Sequence, residues 1–211
     1  MRLIIIGASG HGKVVADVAR NCGYTEIVFL DNDPSISSCA GYPVLGRDEL
    51  IEGLDGDVFI AIGKADIRRK LMNRYEGRNF PILIHPSAIV AENVSIGVGT
   101  VVMAGAVINP GAAIGKGCII NTSSSIDHDC VIQDFVHVAV GAHLCGTVNV
   151  GEGTWIGAGT TVSNNVNICG GCMVGAGAVV IHDIKEKGTY IGVPAKQMCK
   201  LKLTGGITPP A

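Results

Sequence analysis

Every sixth residue from Ile84 to Val180 is Ile, Val or Leu, seventeen positions in a row with no slip in register. A period of six is neither the 3.6 of an α-helix nor the 2 of a flat strand. It predicts a parallel β-helix, an all-β solenoid in which three hexapeptides complete one triangular coil and each aliphatic points inward. Four positions after the aliphatic sits a small or modest side chain, as at Ala88, Thr100, Ala106, Cys118, Ser124 and Cys130, suited to a corner. Glycine follows the aliphatic directly at Gly97, Gly115, Gly151, Gly157 and Gly175. Seventeen hexapeptides make five to six coils, a prism of about 27 Å at ~4.8 Å per coil.

Charge divides the chain along the same line. Residues 1–84 hold ten Lys/Arg and eleven Asp/Glu, an ordinary globular density. Residues 85–180 hold a single base, Lys116, with five acids, and residues 181–211 hold five lysines with two acids. Three units are expected: a small domain over 1–84, a β-helix over 85–183, and a basic tail over 184–211. Disorder is excluded by a hydrophobic content of 47% and a charged content of only 16%. A net charge of −2 with no run of Lys/Arg argues against a nucleic-acid partner. No stretch reads as a signal peptide or a membrane span, and the eight cysteines lack zinc-like spacing. Reduced thiols and a cytoplasmic location are expected.

The first unit alternates in the α/β manner. Leu3–Ile6 reads as a buried strand, followed by Gly7-Ala8-Ser9-Gly10-His11-Gly12 and a helix over Lys13–Asn21. Strands are predicted at Glu26–Leu30 and Asp57–Ile62, with a short helix over Arg47–Glu52 and another over Ala65–Tyr75. Arg68, Arg69 and Arg74 are placed on the wet side of that last helix. Together these make a Rossmann-like half-domain with a parallel sheet. Gly7-x-x-Gly10-x-Gly12 between strand and helix forms a backbone nest suited to phosphate. It is not the G-x-G-x-x-G of dinucleotide folds. Asp31, ending a strand, has a carboxylate placed to accept from a ribose or base.

The repeat register orients the histidines. His128 lies two places after inward Ile126, and His137 and His143 each lie one place before an inward residue, so all three point outward. A buried core histidine is therefore disfavoured for each. An outward histidine suits general-base work at neutral pH. The residue stacked one coil above His128 is Gly146, whose missing side chain leaves a groove and whose N–H is available to a ligand oxygen.

The unbroken [LIV]-G-x4 pattern resembles the left-handed β-helix, or hexapeptide-repeat, acyltransferases, and the tail Gly192-Val193-Pro194-Ala195-Lys196 resembles the segment that often follows such a helix. The head, with Leu30-Asp31 and Ile60-Ala61-Ile62-Gly63, looks like the subfamily that acetylates sugars, including sialic-acid O-acetyltransferases and UDP-4-amino-sugar N-acetyltransferases of the bacillosamine type. That resemblance implies an acetyl-CoA-dependent enzyme with a UDP-sugar diphosphate at Ser9, Gly10 and His11, the nucleoside near Asp31 and Asn32, and Gly63 on the wall. It implies His128 as base, with Asp129 (or its rival Asp127) orienting the ring, and His137 contacting acetyl-CoA. Gly157, Ala158, Gly175 and Ala176 are expected along the pantetheine arm. Lys196 and its neighbours Lys185, Lys187, Lys200 and Lys202 would meet the phosphates. A long, thin coenzyme suits a groove between subunits, so a homotrimer is expected. Three outward histidines also resemble the zinc site of γ-class carbonic anhydrases, but their intervals of nine and six do not match it, and no metal is expected. Two other readings remain: O-acetylation of sialic acid or another sugar, and a β-helix scaffold that only binds nucleotide sugars.

Overall fold

The computed structural model describes residues 1–198. Its first unit is a three-stranded parallel sheet built from β1 (Arg2–Ile6), β2 (Glu26–Leu30) and β5 (Asp57–Ile60), in the order β2-β1-β5. β1 is central, which is why it is an unbroken apolar run. Leu3 and Ile5 face helix α1 (Gly10–Asn21), while Ile4 and Ile6 face helix α2 (Ala65–Arg74). A short hairpin of β3 (Ser38–Cys39) and β4 (Tyr42–Pro43) and a 3₁₀ turn over Asp48–Gly53 complete the unit. Helix α1 begins three residues earlier than expected. Ser9 takes the extended N-cap conformation, so Gly10, His11 and Gly12 form its first turn.

The second unit is the parallel β-helix, with two-residue strands that each end on an inward aliphatic. Face I runs from Leu83–Ile84 to Met173–Val174, face II from Ile89–Val90 to Val179–Val180, and face III from Ser95–Ile96 to Asn167–Ile168. Ladder partners are 18 residues apart, such as Ile120 with Val138 and Ile126 with Leu144. The interior is a column of Ile, Val and Leu closed at the corners by Ala, Cys, Ser and Thr. Ile84, Val90 and Ile96, at the open end, are only half buried. Thr100 and Thr154 stay buried because each hydroxyl donates to a carbonyl of the next coil, at 2.8 and 3.0 Å. Past residue 183, Thr189–Ile191 adds one more parallel strand to face I, and Lys196–Gln197 pairs antiparallel with it.

The small unit sits on face I. Leu83, Val101, Met103 and Ile119 share one cluster with Leu3, Ile5 and α1. Between faces III and I the coil turns on Gly99, Gly117, Gly153 and Gly171, all at positive φ. The fifth member of that stack is Phe135, at φ 60. A bulky residue there costs of order 1 kcal/mol of strain. Its ring is 1% exposed, fills the space a side chain on Gly117 would need, and plugs into the α2 cluster with Met72 and Tyr75.

Arg68 departs from expectation. It lies not on the wet side of α2 but 1% exposed at the junction of the two units. Its guanidinium donates to the carbonyls of Ile62 (2.9 Å), Gly63 (2.6 Å), Gly117 (2.9 Å) and Phe135 (2.7 Å). No helix among the described residues is long and apolar enough to cross a membrane.

Candidate functional site

The nest is built by β1 running out under α1. Gly7 has φ +111, and its N–H donates to the Leu30 carbonyl at 2.9 Å. A side chain on Gly12 would collide with the Gly7 carbonyl, whereas one on Gly10 would meet nothing within 4 Å. Ser9 and Gly10 are exposed at the N-terminus of α1, where free N–H groups and the helix dipole favour an anion. Asp31 does not point freely into this space. One carboxylate oxygen accepts the Ala8 N–H at 2.7 Å and the other accepts the Asp33 N–H at 2.9 Å, so it shapes the nest. Asn32 is exposed, and its side-chain oxygen takes the Asp48 N–H at 3.4 Å.

His11 turns from the nest toward face I. Its ring centroid lies 6.5 Å from that of His137, which tilts against Trp155 at 4.2 Å. His137 points out of the prism, as the register requires, yet it is only 7% exposed because the small unit covers it. The expectation that outward means wet fails here. Burial, with the Arg68 charge second, pulls His11 down to about 4 and His137 down to about 3. Nε2 of His137 is 3.1 Å from the Asn121 amide, while Nδ1 of His137 and Nε2 of His11 have no partner among the described residues. Gly63 faces Trp155: a side chain added at Gly63 would begin 3.7 Å from its ring. Beside them opens a cavity of about 880 Å³ whose lining includes Gly63, Lys64, Arg69, His137, Trp155 and Lys187. Arg68, Phe135 and Trp155 were missed in the sequence. Trp155 could have been found, since it is 18 residues after His137 and must stack on it.

His128 sits elsewhere, on the turn from face II to face III. Its ring is 55% exposed, and Nδ1 lies 2.8 Å from Oδ2 of Asp129. Asp129 holds the left-handed conformation that Asp tolerates, at φ 57. Asp127, the rival partner, accepts the His128 N–H and the Asn109 amide, each at 2.8 Å, and so braces the turn instead. The hydrogen bond to Asp129, with the nearby carboxylate charges adding to it, raises the His128 pKa. Nε2 stands directly over Gly146: a side chain there would begin 2.5 Å from it. The Gly146 carbonyl accepts the Asn165 N–H at 3.0 Å, and its own N–H has no partner among the described residues.

The residues expected along pantetheine fall on the turn from face I to face II. Gly157 and Gly175 already spend their N–H groups on the ladder, at 2.8 Å each, so these are not available to a pantetheine carbonyl. They are glycine for packing, since a side chain on Gly157 would strike the Val174 carbonyl at 2.5 Å and one on Gly175 the Ile191 side chain at 2.7 Å. Ala158 and Ala176 are exposed, and their N–H groups are unpartnered among the described residues, while the Ala158 carbonyl accepts the Gly177 N–H at 2.8 Å. Lys196 is exposed on the last strand, and Lys200 and Lys202 lie outside the described residues. Among the described residues no group of three or more His, Cys, Asp or Glu could hold a metal ion.

A prism of hexapeptide coils carrying an outward His–carboxylate pair, with a nest-bearing α/β unit on one face, defines a class of transferases. Known proteins narrow it. Residues 2–75 match the PglD N-terminal domain family. The acetyltransferase domain of PglB from Neisseria gonorrhoeae is 42% identical, with a TM-score of 0.90 over 93% of this chain and 99% of that one, and has also been solved with acetyl coenzyme A. PerB from Caulobacter crescentus, solved with CoA and GDP-perosamine, is 40% identical, with a TM-score of 0.89 over 94% of this chain and 98% of that one. The UDP-N-acetylbacillosamine N-acetyltransferase of Bacillus subtilis (strain 168) is 38% identical over 108 residues, 47% of this chain and 50% of that protein. This chain thus matches about half the length of that curated relative. The chain belongs to the PglD-like family of hexapeptide-repeat sugar acetyltransferases.

Proposed function

We propose that this protein transfers an acetyl group from acetyl-CoA to the 4-amino group of a UDP-4-amino-4,6-dideoxy sugar. The carrying observation is the His128–Asp129 pair at 2.8 Å, with Nε2 free over a bare Gly146. With Nδ1–H bonded to Asp129, the lone pair on Nε2 faces the groove. The sugar amine attacks the thioester carbonyl as Nε2 takes its proton, and Asp129 stabilises the imidazolium that forms. The Gly146 N–H donates to the oxyanion, which collapses to the amide and expels the coenzyme A thiolate, and the proton on His128 returns to that sulfur.

Topology supports a site shared between copies. In a three-sided prism the turn between faces II and III lies opposite face I, and face I carries the nest and His137. One chain therefore holds its base and its nest on opposite sides. A homotrimer in which His128 of one copy meets the nest of the next resolves this. Ser9, Gly10 and the backbone N–H of His11, in the first turn of α1, would hold the diphosphate. Ala158 and Ala176 would line the coenzyme, and His137, beside His11, would meet it where it approaches the sugar.

The test is direct. The protein is incubated with acetyl-CoA and UDP-4-amino, GDP-4-amino or nucleotide-free sugars, following thiol release and a mass gain of one acetyl group. Amide product from the UDP-amino sugar is expected. Ester product from sialic acid would favour O-acetylation, and binding without thiol release a scaffold.

A further inference from the structure

The guanidinium of Arg68 has no carboxylate partner among the described residues and is bonded instead to four backbone carbonyls. Two belong to the loop between β5 and α2, at Ile62 and Gly63, and two belong to successive coils of the β-helix, at Gly117 and Phe135. Burying a charge this way is a poor route to stability, since well-packed apolar residues serve as well or better. What a guanidinium supplies, and a lysine or an aliphatic does not, is a rigid planar fork that fixes several acceptors relative to one another. The loop it fixes is a wall of the cavity: Gly63 lines it beside Trp155, and a side chain added at Gly63 would begin 3.7 Å from the Trp155 ring. The receiving end is equally particular. Phe135 holds a left-handed conformation that the rest of its stack leaves to glycine, and this turn presents its carbonyl to Arg68.

We infer that Arg68 is a positioning residue for the reaction, the strut that holds the Ile62–Gly63 loop at a fixed distance from the face bearing His137 and Trp155. The inference rests on the proposed reaction only in calling that loop a wall of the acceptor site. Arg68→Lys keeps a cation but gathers its donors at one point, so it cannot span four carbonyls. Its KM for the nucleotide sugar should rise about 10-fold while its KM for acetyl-CoA stays within about twofold. Free guanidinium ion should restore the nucleotide-sugar KM of Arg68→Ala. Hydrogen exchange without substrate provides the second readout, which also serves if Arg68→Ala does not fold. In Arg68→Lys, amides of residues 61–66 should exchange faster while those of α1 do not. Unchanged exchange over 61–66, or a lowered melting temperature with both KM values intact, would overturn the inference. If the wild type transfers no acetyl group, the proposed reaction fails, and the exchange result still decides the role of Arg68.

Discussion

Two histidines nine residues apart both point outward from the same prism and have opposite chemistry. His128 stands on an open turn, and Asp129 raises its pKa. His137 lies under a second unit, and burial lowers its pKa to about 3. The repeat dictates the direction of both side chains and the environment of neither. Environment comes from what each face carries: solvent and an adjacent carboxylate at one, an α/β unit with a buried arginine at the other. One ring is equipped to accept a proton near neutral pH, and the other to remain neutral.

The largest expected effect removes the first histidine. His128→Ala should lower kcat by roughly 10²–10⁴-fold with acetyl-CoA binding nearly unchanged. Turnover like the wild type would show that the base lies elsewhere.

The second histidine should reveal itself in stability. Below pH 6.5 the unfolded chain binds a proton that the folded ring of His137 refuses until about pH 3. The unfolded state then binds more protons, so stability falls as the pH is lowered through that window. By pH 5 the loss is on the order of 2 kcal/mol for such a ring. His137→Asn should flatten the acid side of a melting-temperature profile, and an unchanged slope would mean the ring is protonated in the fold.

Gly146→Val tests the groove. Its side chain would displace the His128 imidazole, so kcat should fall as well as acetyl-CoA affinity, the latter about 10-fold, while the assembly persists. Unchanged binding by calorimetry would remove the groove from this turn. Smallest is Asp129→Asn, which keeps a residue that tolerates positive φ. Because Asp129 raises the His128 pKa, its loss should move the acid limb of the kcat/KM profile to lower pH, with a reduced plateau. An unmoved limb would assign the orienting role elsewhere.

Legibility in the sequence follows the same divide. The period of six specified every inward residue and the stacking of His128 on Gly146, because the ladder repeats at 18 without a slip. Asp129 and Asp127 were both candidates until side-chain geometry placed Asp127 on the Asn109 amide. The burial of His137 was not readable, since nothing in the repeat says which face a separate unit will cover. Arg68 left a faint signal. It shares a helix stripe with Met72 and Tyr75, spaced by four and three residues, and all three are buried. An arginine on an apolar stripe is read as wet by composition alone, and only the four carbonyls brought together by folding make its burial tolerable.

The central claim is that base and nest act across a boundary between copies. Mixing two defective chains tests it most directly. Gly10→Asp places a carboxylate in open space at the nest, so it should fold normally and lose the nucleotide sugar, while His128→Ala lacks the base. Differently tagged and coexpressed at equal levels, the two should assort at random. About a quarter of the sites would then combine an intact nest from one chain with an intact base from another, giving about a quarter of wild-type activity. Purified hetero-oligomers no more active than either variant alone would contradict the shared site and confine the chemistry to a single chain.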